Sequence, residues 1–270
     1  MKLYLYLQAN QLDVLRHTRL HLTGIRDVKD PFIHNAKAIQ RQAIRIAEAD
    51  FQQEIEKQFK ALPPALKGLM DWDTFVREAQ KKRPQIEAQM RKKKQGKPSV
   101  LPNPQAYDEL GWCHLFKRPD HPALWERYAQ QHQGLVVELD TAYPAFQQQK
   151  QILRPVVYGS ARPQADHPMK PFPALFHRAP EYASEEEVRL VRPLSDAKSS
   201  QQLKNGQTIY FYPFPPRAVM SVILGVQASP ELKEQVQRIL TYDMKYKPGR
   251  PLREVLLDPT QFKLHLRGTL

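Results

Sequence analysis

Between Asn35 and about Gln95 the chain gives up glycine almost entirely, keeping only Gly68, and is dominated by Ala, Gln, Glu, Lys and Arg. These residues favour helix. The sequence on either side is strand-like, with β-branched and aromatic runs broken by Gly and Pro. A helical block set inside strand-rich sequence predicts an α+β fold. The expectation is one domain over 1–270, a mixed, mainly antiparallel sheet core, with a basic helical insertion at about 35–97.

Inside the block, Ala43, Ala47, Phe51, Ile55 and Phe59 recur every four residues and predict one apolar helical stripe, ended by Pro63-Pro64. A second helix is expected from about Asp71, burying Trp72, Phe75, Val76 and Ala79. The last part is basic. Lys81, Lys82, Arg83, Arg91, Lys92, Lys93, Lys94 and Lys97 face only Glu87, and from Lys92 to Pro98 the sequence reads as a mobile basic loop.

Outside the block, residues 3 to 7 predict a strand with Leu3, Leu5 and Leu7 on one face and Tyr4 and Tyr6 on the other. A short helix and a strand at 20–23 follow, closed by Gly24. Later strands are expected at Gly134–Asp140, Arg154–Tyr158, Glu187–Arg192, Gln207–Tyr212, Val219–Leu224 and Phe262–Arg267. Pro122 can open a helix running to about Gln131, and Ser229-Pro230-Glu231 has the form of an N-cap, an N1 proline and a first-turn acid. Five prolines between 160 and 180 make that connection stiff and irregular.

The net charge of +13 draws the chain towards polyanions, so nucleic acid is an expected partner and an acidic protein an alternative. The basic run from Lys81 to Lys97 is the first place to dock a phosphate backbone. No stretch approaches the roughly 20 apolar residues a bilayer span requires, and the N-terminus lacks the long apolar core of a secretory leader. One cysteine, Cys113, excludes an intrachain disulfide, and a reducing cytoplasm is the expected home.

The chain contains neither a Gly-x-Gly-x-x-Gly nor a P-loop pattern, which argues against the ordinary dinucleotide and nucleotide folds. His17 and His21 straddle a predicted change from helix to strand, so no metal site is expected. Cys113 and His114 are neighbours, which in an extended chain point apart. Two clusters remain. In Glu185-Glu186-Glu187-Val188-Arg189, an extended backbone puts Glu185, Glu187 and Arg189 on one face, where paired carboxylates can work as acid and base and Arg189 can tune them. A strand entrance with a structural ion pair is the competing reading. In the second cluster, Trp125 and Tyr128 share a helix face, either as core or as a stacking pair for a cofactor.

Taken in order, these motifs resemble the bacterial domain-of-unknown-function family 2971. The residues that carry the resemblance are Tyr4-Leu5-Tyr6, Asp30-Pro31-Phe32, the run Trp125, Tyr128, Ala129, His132 and Gly134, then Val156 to Tyr158, the Glu185/Glu187/Arg189 box and Ile223-Leu224-Gly225. Lys29 stands where the family has Asn, Ile33 where it has an acid, and Ala183-Ser184 where it has an aromatic. The layout is also similar, at a distance, to ADP-ribosyltransferase-like folds. That similarity implies NAD as a cofactor, Glu187 as the catalytic acid, Glu185 activating the acceptor, and Tyr4, Tyr6, Trp125 and Tyr128 lining the pocket. Three functions follow: a cytoplasmic effector enzyme of this type acting on nucleic acid or protein, a non-catalytic nucleic-acid-binding module, or a scaffold in a defence or stress system such as phage defence.

Overall fold

A computed structural model of the protein describes residues 1–28, 30–34, 46–68, 70–94, 107–148, 151–161 and 172–268. The chain divides into two compact units: Met1–Asp30 with Pro102–Pro163 and His167–Leu270, and Pro31–Leu101 with Gln164–Asp166.

The first unit is built on strands β1 (Lys2–Leu7), β2 (Arg19–Gly24), β3 (Leu110–Phe116), β4 (Leu135–Asp140), β5 (Ile152–Pro155), β6 (Val157–Tyr158), β7 (His177–Arg178), β8 (Glu187–Pro193), β9 (Ser199–Gln202), β10 (Thr208–Pro213), β11 (Val219–Leu224), β12 (Leu252–Leu257) and β13 (Leu264–Arg267). Eleven of them form one sheet in the order β13-β12-β11-β4-β1-β3-β2-β10-β9, with β8 on β3 and β5 on β8; β6 and β7 pair separately. Within the large sheet only β11 and β12 run parallel, so the sheet is mixed and mainly antiparallel, as the sequence predicts.

β3 is the junction. One edge takes β8 along its whole length, and the other is shared by β1 near Phe116 and β2 near Gly111. Alternation along the strands separates two cores. Leu3, Leu5 and Leu7 enter a large core with Leu115, Val137, Leu190 and Val222, while Tyr6 enters a second one with Phe116, Trp125, Val136 and Ile223. Helix Pro230–Tyr242 covers the large core with Leu232, Val236 and Leu240, each worth at most about 1.5–3 kcal/mol of burial. Its N-cap is Ser229, whose side chain accepts from the Leu232 N–H at 3.2 Å.

Helix Pro122–Tyr128 is shorter than expected because the chain turns left-handed at Gln130, Gln131 and His132. Backbone bonds from His132 N–H to Trp125 O and from Gly134 N–H to Ala129 O hold this turn. Two close approaches explain its glycines: a Cβ on Gly134 would sit 2.1 Å from Leu7 O, and one on Gly225 2.0 Å from His132 O.

Several expectations are corrected here. The stretch Arg154–Tyr158 is two strands: the last bond to β8 is Val156 N–H to Glu187 O at 2.9 Å, and beyond it Val157 pairs with His177 instead. Glu185 ends a 3-10 turn (Pro180–Glu185) and Glu186 is left-handed, so the strand starts at Glu187.

The second unit contains helices Glu48–Lys60, Pro64–Lys67, Trp72–Lys81 and Arg83–Lys94 around Phe51, Ile55, Ala79 and Met90. The first of these starts after Ala47, which is extended, and Ala43 lies outside the described residues. Trp72 is not buried; it lies at the surface against Phe59 and Phe75. Lys92, Lys93 and Lys94 belong to a helix instead of a loop, as the helix formers before them propagate to Lys94. Lys97 lies outside the described residues.

Candidate functional site

The alternation of β3 puts Trp112, His114 and Phe116 on the face away from the large core, and β8 answers with Glu187, Arg189 and Val191. His114 lies directly across from Arg189, one diagonal step from Glu187. The 3-10 turns Pro173–Phe176 and Pro180–Glu185, with β7 between them, bring Arg178 and Glu185 to the same place. Helix Pro122–Tyr128 adds Arg127 and Tyr128.

Glu187 is the hub and is 1% exposed. Its Oε1 accepts from Arg189 Nε at 2.6 Å and meets His114 Nδ1 at 2.5 Å. Its Oε2 accepts from Arg178 Nη1 at 2.9 Å and Arg189 Nη2 at 3.1 Å. The four acceptor positions of the carboxylate are therefore filled. The Glu187 N–H donates to the Tyr158 hydroxyl at 2.8 Å, and Arg189 Nη1 donates to Leu175 O at 2.5 Å beneath the Trp112 ring. Burial opposes ionisation of Glu187, but His114 and Arg189 outweigh it and hold the carboxyl well below the usual carboxylate range.

Glu185 is the second carboxylate, also buried, held by Arg127 Nη1 and by Arg178 Nη1 at 2.7 Å. Arg178 stacks on Tyr182 at 3.8 Å. Burial works against its charge, and Glu187 and Glu185 more than compensate, so its pKa rises. Burial, then the same two carboxylates, also pushes the Tyr128 phenol up.

Three guanidiniums thus face two carboxylates, a net positive cluster before His114 is counted. Its solvent-facing members are Arg127, His114 and Tyr182, with side-chain or residue exposures of 47%, 31% and 37%. An ionised carboxylate against Nδ1 requires a proton on that nitrogen. The lone pair of a neutral His114 is then on Nε2, for which no described residue supplies a partner. A carboxylate-oriented imidazole at an opening flanked by cations can move a proton at an anionic substrate.

The structure brings together Glu185, Glu187, Arg189 and Tyr128 of the residues singled out in the sequence. Tyr4, Tyr6 and Trp125 are elsewhere. Trp125 is fully buried with its Nε1 donating to Pro119 O at 2.6 Å, Tyr6 donates to Arg118 O at 2.9 Å, and their rings meet edge to face. Tyr4 packs on the same second core. Sequence reasoning missed Arg127 and Arg178, weighed His114 only as a neighbour of Cys113, and took Tyr158 only as the end of a motif strand. The alternation Trp112-x-His114-x-Phe116 was the available signal for His114. Arg178 carried none, since a fold-dependent crossing brings it in. Cys113 points into the large core, and burial pushes its thiol up to about 12, which removes it as a nucleophile.

In the helical unit Lys81 pairs with Glu78 at 2.7 Å, while Arg83 bridges Glu48 at 2.7 Å and Glu87 at 2.8 Å and lies over Phe51. Lys82 is exposed, and Arg91 to Lys94 form the last turn of their helix. Among the described residues no three His, Cys, Asp or Glu side chains are grouped to hold a metal, and no helix is long and apolar enough to cross a membrane.

No family model, curated protein or solved structure matches the chain. The functional reading therefore rests on the geometry of this site and on the motifs themselves.

Proposed function

We propose that the protein is an enzyme that moves protons at a phosphate-bearing nucleotide substrate, working in the cytoplasm. The observation that carries this reading is the 2.5 Å contact of the partly exposed His114, through Nδ1, with the fully bonded Glu187 carboxylate inside a cluster of three arginines. His114 is the acid–base group, Glu187 is its positioning residue, and Arg127 and Arg178 hold phosphate oxygens through N–H groups not spent on Glu185. This distribution differs from the ADP-ribosyltransferase-like expectation, in which Glu187 itself contacts the ribose; with its acceptors filled, that contact needs Arg178 or His114 to leave. NAD remains the first nucleotide to test, and the family-2971 motifs support an effector role.

Thermal stability with ADP, NAD, short RNA and short DNA tests the proposal, with product analysis for each. At least one is expected to raise the melting temperature saturably and to be turned over. Arg127→Met, at a half-exposed side chain, is expected to weaken that ligand at least about tenfold, the worth of one charge-assisted contact. Stabilisation by none of the four, or full affinity in Arg127→Met, overturns the reading.

A second reading, a nucleic-acid-binding module, is supported by one observation: the helix Arg83–Lys94 ends on four consecutive basic residues, Arg91, Lys92, Lys93 and Lys94. The two readings are compatible if the helix end gathers the polymer that the His114 site acts on.

A further inference from the structure

On the opposite face of β8 from Glu187 and Arg189 lies a buried cation without a counter-ion. Arg192 is 5% exposed, and among the described residues no ion pair reaches it. Its Nη2 donates to Gln148 Oε1, its guanidinium lies 4.5 Å over the Tyr212 ring, and its Nε has no partner. Tyr212 offers it the face of its ring, while its hydroxyl donates to Pro193 O at 2.7 Å. Burial accordingly pushes the Arg192 pKa down, more than Tyr212 and Asp196 raise it. A buried guanidinium with one neutral hydrogen bond is costly unless an anion completes it.

A cavity lies beside it. Thr141, Phe146, Gln147, Gln148, Gln151 and Leu153 line a cleft of about 390 Å³, within the range of small-molecule sites. The Gln148 amide that caps Arg192 is part of its wall. Gln151 is the second irregularity, with both its side-chain oxygen and nitrogen buried and unpartnered. The β5–β8 register pairs Ile152 with Val191 and Leu153 with Leu190, so its continuation sets Gln151 opposite Arg192 on the same face. The unpartnered Gln151 amide is thus in the wall of the cleft, and the Arg192 guanidinium, with its free Nε–H, lies directly behind the Gln148 amide of the same wall.

We propose that this cleft binds a small monocarboxylate, whose carboxylate replaces the Gln148 amide on Arg192 and accepts from the Gln151 amide. The apolar body of the ligand lies against Phe146 and Leu153. A carboxylate matches the site better than a phosphate because the Met1 ammonium at the cleft is paired with Asp140 at 3.4 Å, which leaves one guanidinium and neutral amides to balance a single charge. The proposal does not depend on the His114 site.

The test is the melting temperature of the full chain carrying Arg127→Met, which removes a phosphate-holding arginine from the His114 site, with benzoate, with its neutral isostere benzamide, and with inorganic phosphate. Benzoate is expected to raise it saturably, by roughly 5–10 °C at about a hundredfold excess over Kd, and the other two are expected to leave it unchanged. Arg192→Met is expected to fold and to lose the response. Gln148→Glu places a carboxylate on Arg192 from within; it is expected to raise the melting temperature without ligand, by about 2–4 °C, and to abolish the benzoate effect. That variant decides the matter if Arg192→Met fails to fold. The proposal is overturned if benzoate gives no shift, if benzamide or phosphate equals it, if Arg192→Met keeps the response, or if Gln148→Glu lowers the melting temperature.

Discussion

At Glu187 one carboxylate organises the site through four accepted bonds from three side chains. Replacing it by glutamine keeps the shape but leaves Arg189 buried and short of its counter-ion. Glu187→Gln is expected to lose about 3–5 kcal/mol at pH 7, the cost of breaking a buried pair from one side. The pH dependence follows from the sign of the shift. The folded-state pKa is depressed below the unfolded value of about 4.3, so Glu187 stabilises the fold fully above that value and progressively less as pH falls towards the folded pKa. Urea denaturation at pH 7, 5 and 3 should therefore show the wild type and Glu187→Gln converging in acid. A gap that stays constant down to pH 3 would mean the charge of Glu187 contributes nothing.

The elements show what a sequence of this kind reveals. Alternating or capped segments were legible: β1 with its leucine and tyrosine faces, β10, β11, and helix Pro230–Tyr242 behind Ser229. β3 was not, because Leu110–Phe116 is buried on both faces, with Cys113 and Leu115 on one and the rings of Trp112, His114 and Phe116 on the other, so His114 is the single polar mark in an otherwise apolar run. Of the site, the Glu185/Glu187/Arg189 box was visible as a charge pattern on one strand. Tyr158 and Arg178 lie opposite each other on the separate β6–β7 pair and reach Glu187 from there, a tertiary placement that local pattern does not encode. Within the helical unit the N-cap of Trp72–Lys81 was legible in Asp71, whose side chain accepts from Thr74 N–H at 2.8 Å. Asp71→Ala is expected to cost about 1 kcal/mol, read as a lower midpoint in urea at unchanged slope, whereas Asp71→Asn should cost little.

For the whole molecule, charge and site belong to one account. A net charge of +13 raises the local concentration of any polyanion, and the proposed function takes its phosphate to the positive cluster around His114. RNA or DNA binding should therefore weaken linearly on a log–log plot against salt. Neutralising Lys92, Lys93 and Lys94 together should reduce the slope by about 2–3. An unchanged slope would remove the helix end from the binding surface. The central claim, however, concerns one imidazole. The measurement that tests it most directly is turnover of the nucleotide that the protein accepts, in the wild type and in His114→Asn at matched folding. The account predicts a loss of roughly 100-fold or more with substrate binding largely kept, because a positioned acid–base group supplies that much. Wild-type turnover in a folded His114→Asn protein would contradict it and would leave the Glu187 cluster a structural ion network.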